Sequence, residues 1–323
     1  MVAVYPGWGE LSMVKVLAHS MDGLKRALDS DIFYSFTRSP VVVAAAIVAV
    51  VYISASLMAP WVAPHLVFDV KTLNLMDAFT PPAWYADGKM SFLLGTDDQG
   101  RDILSTILFG SRVSLLVGFA SILLSMVIGV SLGLISGYVG GRVDSFIMRV
   151  ADIQLAFPAI LIALLFNGLA RGFLPQGMHE EAALYVLVMA IGLARWVQFA
   201  RTVRSSTMVE KNKEYVKAAR VIGRHPAAIM IQHVLPNVSG PVLVIATISL
   251  AIAIILEATL SFLGVGVPAT QPSLGTLIRI GNNYLLSGEW WMTLFPSAAL
   301  IILVLSINLL GDWLRDALNP KLR

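Results

Sequence analysis

The sequence predicts an all-α integral membrane protein with six spanning helices and both termini on the cytoplasmic side. Three observations carry that prediction. Charged residues make up 13% of the 323 positions, against roughly 25% in a soluble domain. Apolar residues reach 57% and the mean hydropathy is +0.78. The few charges cluster, leaving long charge-free runs, and the basic ones fall unequally between the two sides of the membrane. The same composition excludes disorder, a collagen and, with no cysteine in the chain, a disulfide scaffold or thiolate chemistry.

A spanning helix needs about 20 apolar residues to cross about 30 Å of hydrocarbon. No Lys, Arg, Asp or Glu occurs between Arg38 and Asp69, Arg112 and Arg142, Asp152 and Arg171, or Glu289 and Asp312. Two further runs carry one charge each, Arg195 and Glu257. The expected spans therefore lie near 40–63, 113–139, 150–169, 183–202, 237–262 and 291–311. With both termini inside, 17 of the 23 Lys and Arg fall on the cytoplasmic side and 6 outside, as the positive-inside rule requires.

Residues 1–39 form a cytoplasmic or interfacial N-terminal segment with no cleavable signal peptide. Within it, 10–36 alternate apolar and charged positions at helical spacing and read as a helix on the membrane surface. Residues 40–110 hold the first span, an external loop and an amphipathic helix. That helix is expected to be capped by Thr96 with Gln99 at its third position, Asp97 and Asp98 facing the dipole, and Ile103, Leu104, Ile107 and Leu108 on its apolar face. Residues 111–312 form a core of five spans with a cytoplasmic loop at 201–236, and 313–323 a cytoplasmic tail. In the second span Ser125, Gly129, Gly133 and Gly137 recur every fourth residue, a small-residue stripe that lets another helix approach closely.

The loop near 201–236 carries the strongest functional signal. Glu214 to Gly223 reads as a short helix, with Tyr215, Ala218, Ala219 and Ile222 on one face and Lys213, Lys217 and Arg220 on another. Gly223 ends it, Pro226 suits the first turn of a second helix, and Pro236 marks the start of the fifth span. An exposed apolar face with two alanines beside a membrane bundle invites a soluble partner.

These residues carry a resemblance. Glu214-Tyr215-Val216-x-Ala218-Ala219-x-x-x-Gly223, followed by Ile229, His233, Leu235, Pro236 and Asn237, resembles the "EAA" loop of bacterial ABC importer permeases. Leu94-Gly95-Thr96-Asp97-x-x-Gly100-Arg101-Asp102, Gly110-x-Arg112-x-Ser114-Leu115, Glu257-Ala258-x-Leu260-Ser261-Phe262-Leu263-Gly264-x-Gly266 and the ending Asn308 to Pro320 narrow this to the dipeptide/oligopeptide/nickel importer permeases, C-type subunit. The resemblance spans roughly Pro40 to Arg323. Lys217 stands where many such permeases have a glutamate, and Trp313 and Asn319 also differ from the family pattern.

The resemblance implies a type I ABC importer permease fold in the bacterial cytoplasmic (inner) membrane and a role in moving di- or oligopeptides inward. It implies a heterodimer with a homologous second permease, two cytoplasmic ABC ATPase subunits that bind ATP and magnesium, and an extracytoplasmic substrate-binding protein. Membrane lipid is the surrounding partner, and no nucleic acid is expected. It assigns ATPase coupling to Glu214, Tyr215, Ala218, Ala219, Gly223, His233, Leu235, Pro236 and Asn237. The chain itself has no Gly-x-x-x-x-Gly-Lys-Ser/Thr loop, so it is expected to bind no cofactor and to be a transport subunit rather than an enzyme.

Two charges lie inside spans. Glu257, with Ser261, either lines the path or gate and meets a peptide amine, or is a protonated or hydrogen-bonded group that fixes the Ser261–Gly266 turn; the second reading is preferred. Arg195 is expected to snorkel. The five histidines have no metal spacing, and no Gly-x-Ser-x-Gly elbow occurs. The alternatives are a nickel or other small-solute ABC permease and an ion-coupled secondary transporter, which would need relay charges in several spans.

Overall fold

The structure is a computed structural model that describes residues 31–67, 73–268 and 270–317. Residues 10–30 of the predicted surface helix and 318–323 of the predicted tail lie outside them. In chain order the helices are α1 (Asp31–Arg38), α2 (Pro40–Leu57), α3 (Ala59–Val62), α4 (Ile103–Val139), α5 (Gly141–Leu155), α6 (Ala159–Phe173), α7 (His179–Glu210), α8 (Glu214–Val221), α9 (Pro226–Phe262), α10 (Leu274–Asn282) and α11 (Trp291–Ala317). Five of them, α2, α4, α7, α9 and α11, are long and apolar enough to cross a membrane. The α5–α6 pair, bent by 95°, is the sixth if taken as one span. No strand occurs among the described residues.

Three boundaries differ from the sequence reading, each for a local reason. The predicted amphipathic helix and the second span are one helix, the 37-residue α4. Thr96 caps nothing: its hydroxyl donates to the Asp77 carbonyl at 2.5 Å and accepts from Thr80 N at 2.8 Å. Asp97 holds a turn instead of facing a dipole, accepting from the backbone of Gln99 and Arg101 at 2.9 Å and from Arg101 Nε at 2.6 Å. The N-cap is Asp102, whose carboxylate accepts from Ser105 N at 2.8 Å. No proline interrupts the chain from there to Gly140.

The predicted third span, 150–169, straddles the sharp bend between α5 and α6. Pro158 is itself non-helical at ψ 134° and has no N–H to continue the ladder, and a proline disfavours the helical region for the residue before it, here Phe157. The fifth span begins before Pro236. A π-helical turn at Met230–Val234 lets Leu235 N reach Met230 O, so α9 is continuous from Pro226.

The bundle is organised around α4 and α7, which pack along much of their length. The small-residue stripe makes that approach possible. A Cβ added at Gly129 would sit 2.5 Å from Trp196 O, one at Gly133 2.6 Å from Ala200 O, and one at Gly137 2.7 Å from Thr207 Cβ. Ser125 Oγ donates across the same seam to Gly192 O at 2.9 Å. A methyl group there has nowhere to go but into backbone. Gly129→Ala is expected to destabilise the purified protein by about 1–3 kcal/mol, read as a lower melting temperature in detergent. Gly168→Ala in α6, where a Cβ meets nothing within 4 Å, is the control and should be neutral. Equal melting temperatures for the two variants would refute the close-contact role.

Candidate functional site

The helix α8 forms where its charges suit its dipole. Glu214 occupies the first turn and Arg220 the last. It ends in a Schellman turn: Arg224 N bonds Ala219 O at 3.1 Å, Gly223 N bonds Arg220 O at 3.0 Å, and Gly223 takes φ +81°. The apolar face is split rather than presented whole. Val216 and Ala219 are buried against the main hydrophobic core, whereas Ala218, Val221 and Ile222 are exposed, the last two at 88% and 79%. The expectation that both alanines face outward is therefore corrected for Ala219. An exposed row of Ala218, Val221 and Ile222, flanked by the exposed Lys217, Arg220 and Arg224, is what remains for a partner.

The tyrosine of α8 is the hub of a polar cluster that ties the loop to the helices on either side. Tyr215 Oη donates a hydrogen bond to Glu210 Oε1 at the end of α7. Lys213 Nζ pairs with the other oxygen of Glu210 at 2.9 Å. From α9, Asn237 Nδ2 donates to Tyr215 Oη at 3.2 Å and to His233 O at 2.7 Å. Partial burial and then the Glu210 hydrogen bond push the Tyr215 phenol up to about 12, so it remains a donor at any physiological pH. His233 contributes its carbonyl and sets its ring 6.4 Å from that of Tyr215. Leu235 packs on the core and Pro236 sits within the continuous helix. Glu214 is exposed at the start of α8.

Several residues that hold this end were not picked out from sequence. Lys211 Nζ donates to Gly137 O at 2.6 Å, binding the loop to the end of α4. The Arg220 guanidinium lies 4.9 Å over the Tyr138 ring and its Nε donates to Tyr138 Oη at 3.2 Å. Arg204 grips Asp144 of α5 with two hydrogen bonds, 2.5 and 2.7 Å. A cavity of about 450 Å³ opens between Tyr138, Val139, Arg220, Arg224, Pro226 and Ile229. Charge spacing hinted at the Arg and Lys residues, but nothing in the sequence pairs them with groups 60 or more positions away.

At the other end of α9, Glu257 is fully buried. Ser114 Oγ of α4 donates to its Oε2 at 2.6 Å, and Ser261 Oγ donates to its Oε1 at 2.7 Å. Ser114 in turn accepts from Leu274 N at 3.3 Å, and Ser261 from Val267 N at 3.2 Å. One carboxylate thus joins α4, α9, the following turn and the start of α10. Gly266 packs so closely on Ser261 that a Cβ would lie 2.1 Å from its Oγ. Arg195, expected to reach for the membrane surface, is instead nearly buried and donates to Gln198 Oε1 at 2.9 Å. Among the described residues no group of His, Asp or Glu is placed to hold a metal ion.

Known proteins are similar to this chain in sequence and in fold. The family described as "Binding-protein-dependent transport system inner membrane component" matches residues 129–323. The chain is 40% identical over 268 residues to the dipeptide transport system permease protein DppC of Haemophilus influenzae, covering 83% of this chain and 86% of that one. It is 39% identical to the di/tripeptide transport system permease protein DppC of Pseudomonas aeruginosa, over 83% and 84% of the two chains. The oligopeptide transport system permease protein OppC of Bacillus subtilis is 36% identical over 92% of this chain and 91% of its own. Among solved structures, an inward-facing conformation of the MetNI methionine ABC transporter aligns with TM-score 0.52 and 21% identity, covering 67% of this chain and 98% of that one. This last likeness is one of fold.

Proposed function

The chain belongs to the family of binding-protein-dependent transport system inner membrane components, and we propose that it is the C-type permease of an ATP-driven importer of di- and oligopeptides. It is a multi-pass inner membrane protein and a transport subunit, not an enzyme. Membership of the family implies ATPase subunits, a second permease and a substrate-binding protein as partners. In our reading the second permease is a homologous, non-identical chain. Two ATPase subunits hold ATP and magnesium on the cytoplasmic side, where both termini of this chain and α8 also lie.

The observation that carries the mechanism is the continuity of α9. It runs unbroken for 37 residues, about 55 Å at 1.5 Å per residue. At one end it is clamped to α8 by the Gly223 turn and the Tyr215 cluster. At the other it carries Glu257 and the Ser261–Gly266 turn. A push on the exposed Ala218–Ile222 row by an ATPase would move α8 and α9 together, because Val216 and Ala219 seat α8 in the core that α9 shares. Movement of α9 would in turn reach the junction with α4 and α10. Nucleotide then biases two packed states of one bundle, which is alternating access.

Reconstitution tests this directly. Vesicles holding this chain with its sister permease, the two ATPases and the binding protein are expected to accumulate a dipeptide only with ATP and magnesium. Omitting the ATPases should abolish uptake. Dipeptide uptake by the permeases alone, driven by an imposed proton gradient, would instead make the chain a secondary transporter.

A further inference from the structure

Near the Glu257 junction the structure holds a cavity that the α8–α9 linkage does not use. Its volume is about 480 Å³, and its lining includes Arg112, Val113 and Leu116 of α4, Leu184 of α7, and Thr270 and Gln271 of the loop before α10. That is more than ten times the roughly 30 Å³ share of one water molecule. Two positions along α4 from Arg112, Ser114 turns the other way, onto Glu257. The cavity therefore lies at the end of the bundle opposite α8.

The chemistry of the lining is uneven. Arg112 is exposed, and Leu116, Phe119, Leu123 and Val127 follow it down the same exposed side of α4. Among the described residues no carboxylate lies within ion-pair distance of its guanidinium. A cation beside hydrocarbon is costly unless it faces water or an anion. Mostly apolar walls with a few convergent polar groups (here a guanidinium, a hydroxyl and an amide) are the make-up of a small-molecule site. The planar fork of arginine donors matches a carboxylate.

We propose that this cavity is a subsite of the import path and that Arg112 receives the C-terminal carboxylate of a peptide in transit. The inference rests on the peptide-importer reading above. Every peptide offers one terminal carboxylate whatever its side chains, so one arginine can serve substrates of varied sequence. The apolar walls accept the rest.

The chain has no cysteine, so Gln271→Cys places a single thiol at the cavity. The assembled transporter, its other subunits made cysteine-free, is labelled in vesicles with an anionic and a cationic thiosulfonate. Relative to their rates on a free thiol, the anionic reagent is expected to react at least about tenfold faster than the cationic one. The preference should vanish when Arg112→Gln is added and return with Arg112→Lys. A dipeptide under turnover should slow labelling only where the cation is present. Arg112→Gln alone should cut ATP-driven dipeptide uptake at least about tenfold.

Failure of both charged reagents to label would place the cavity against lipid, with Arg112 serving a phosphate headgroup, and would overturn the proposal. So would labelling without charge preference, or wild-type uptake by Arg112→Gln. If Gln271→Cys does not assemble, Thr270→Cys carries the same measurement. Absence of ATP-driven dipeptide uptake by the wild-type vesicles would refute the importer reading separately, because the labelling preference needs no transport.

Discussion

Gly223→Pro is expected to bring ATP-driven uptake to background while the protein still inserts and still co-purifies with its ATPases. Gly223 holds φ +81°, and a proline ring fixes φ near −65°. The substitution also removes the N–H that bonds Arg220 O at 3.0 Å and forces Ile222 out of its helical conformation. The turn that clamps α8 to α9 cannot form. Gly223→Ala keeps the N–H and costs only the left-handed strain of an L-residue, about 1–2 kcal/mol, so it should reduce uptake partially. The gradient from Gly to Ala to Pro is the signature of a turn that must hold under load. Uptake in the proline variant equal to wild type would refute coupling through α8 and α9.

Ala219→Trp reaches the same mechanism from the other side. Ala219 is only 7% exposed and packs in the main core, so an indole there would lift α8 off the bundle while leaving the backbone donors and acceptors of the turn, Ala219 O included, in place. ATPase activity that continues but no longer responds to the loaded binding protein is the expected readout for both variants. It separates a broken linkage from a misfolded chain, which would lose the ATPases altogether.

How much of this was legible in the sequence depends on the range of the interaction. The spans were legible because lipid demands long charge-free runs, and 13% charge leaves few places for anything else. The turn at Gly223 was legible because the helix stop is written within a few residues. Direction was not. The bend at Phe157–Pro158 sits inside a charge-free window, and hydropathy is blind to which way a helix points. Nor was the continuity at Pro236, which depends on one π turn, or the start of α4, where Asp102 outcompetes Thr96 through a bond to Ser105. The hub of the candidate site was hidden for another reason. Glu210, Tyr215 and Asn237 come from three helices, and periodicity within one helix cannot show that their polar groups converge.

Glu257 decides between two roles that the sequence left side by side, and its substitutions should separate them. As a structural junction it must accept two hydroxyl protons, from Ser114 and Ser261. Glu257→Gln keeps an accepting oxygen and offers an amide donor to the other hydroxyl, so the junction can re-form and most uptake should survive. Glu257→Leu leaves both hydroxyls without that partner, at about 1–3 kcal/mol for each buried group. It should lower the yield of folded protein and abolish uptake. If the carboxylate instead meets a peptide amine, its charge is what matters. Glutamine would then be as inactive as leucine, in a protein as stable as wild type. The structure favours the first outcome, because both carboxylate oxygens are already engaged within this chain. Ser114 and Ser261 pass the constraint on to Leu274 N and Val267 N, so the carboxylate holds in place the loop that reaches the Arg112 cavity. A carboxyl group spent on positioning that loop leaves recognition of the peptide to groups outside the junction.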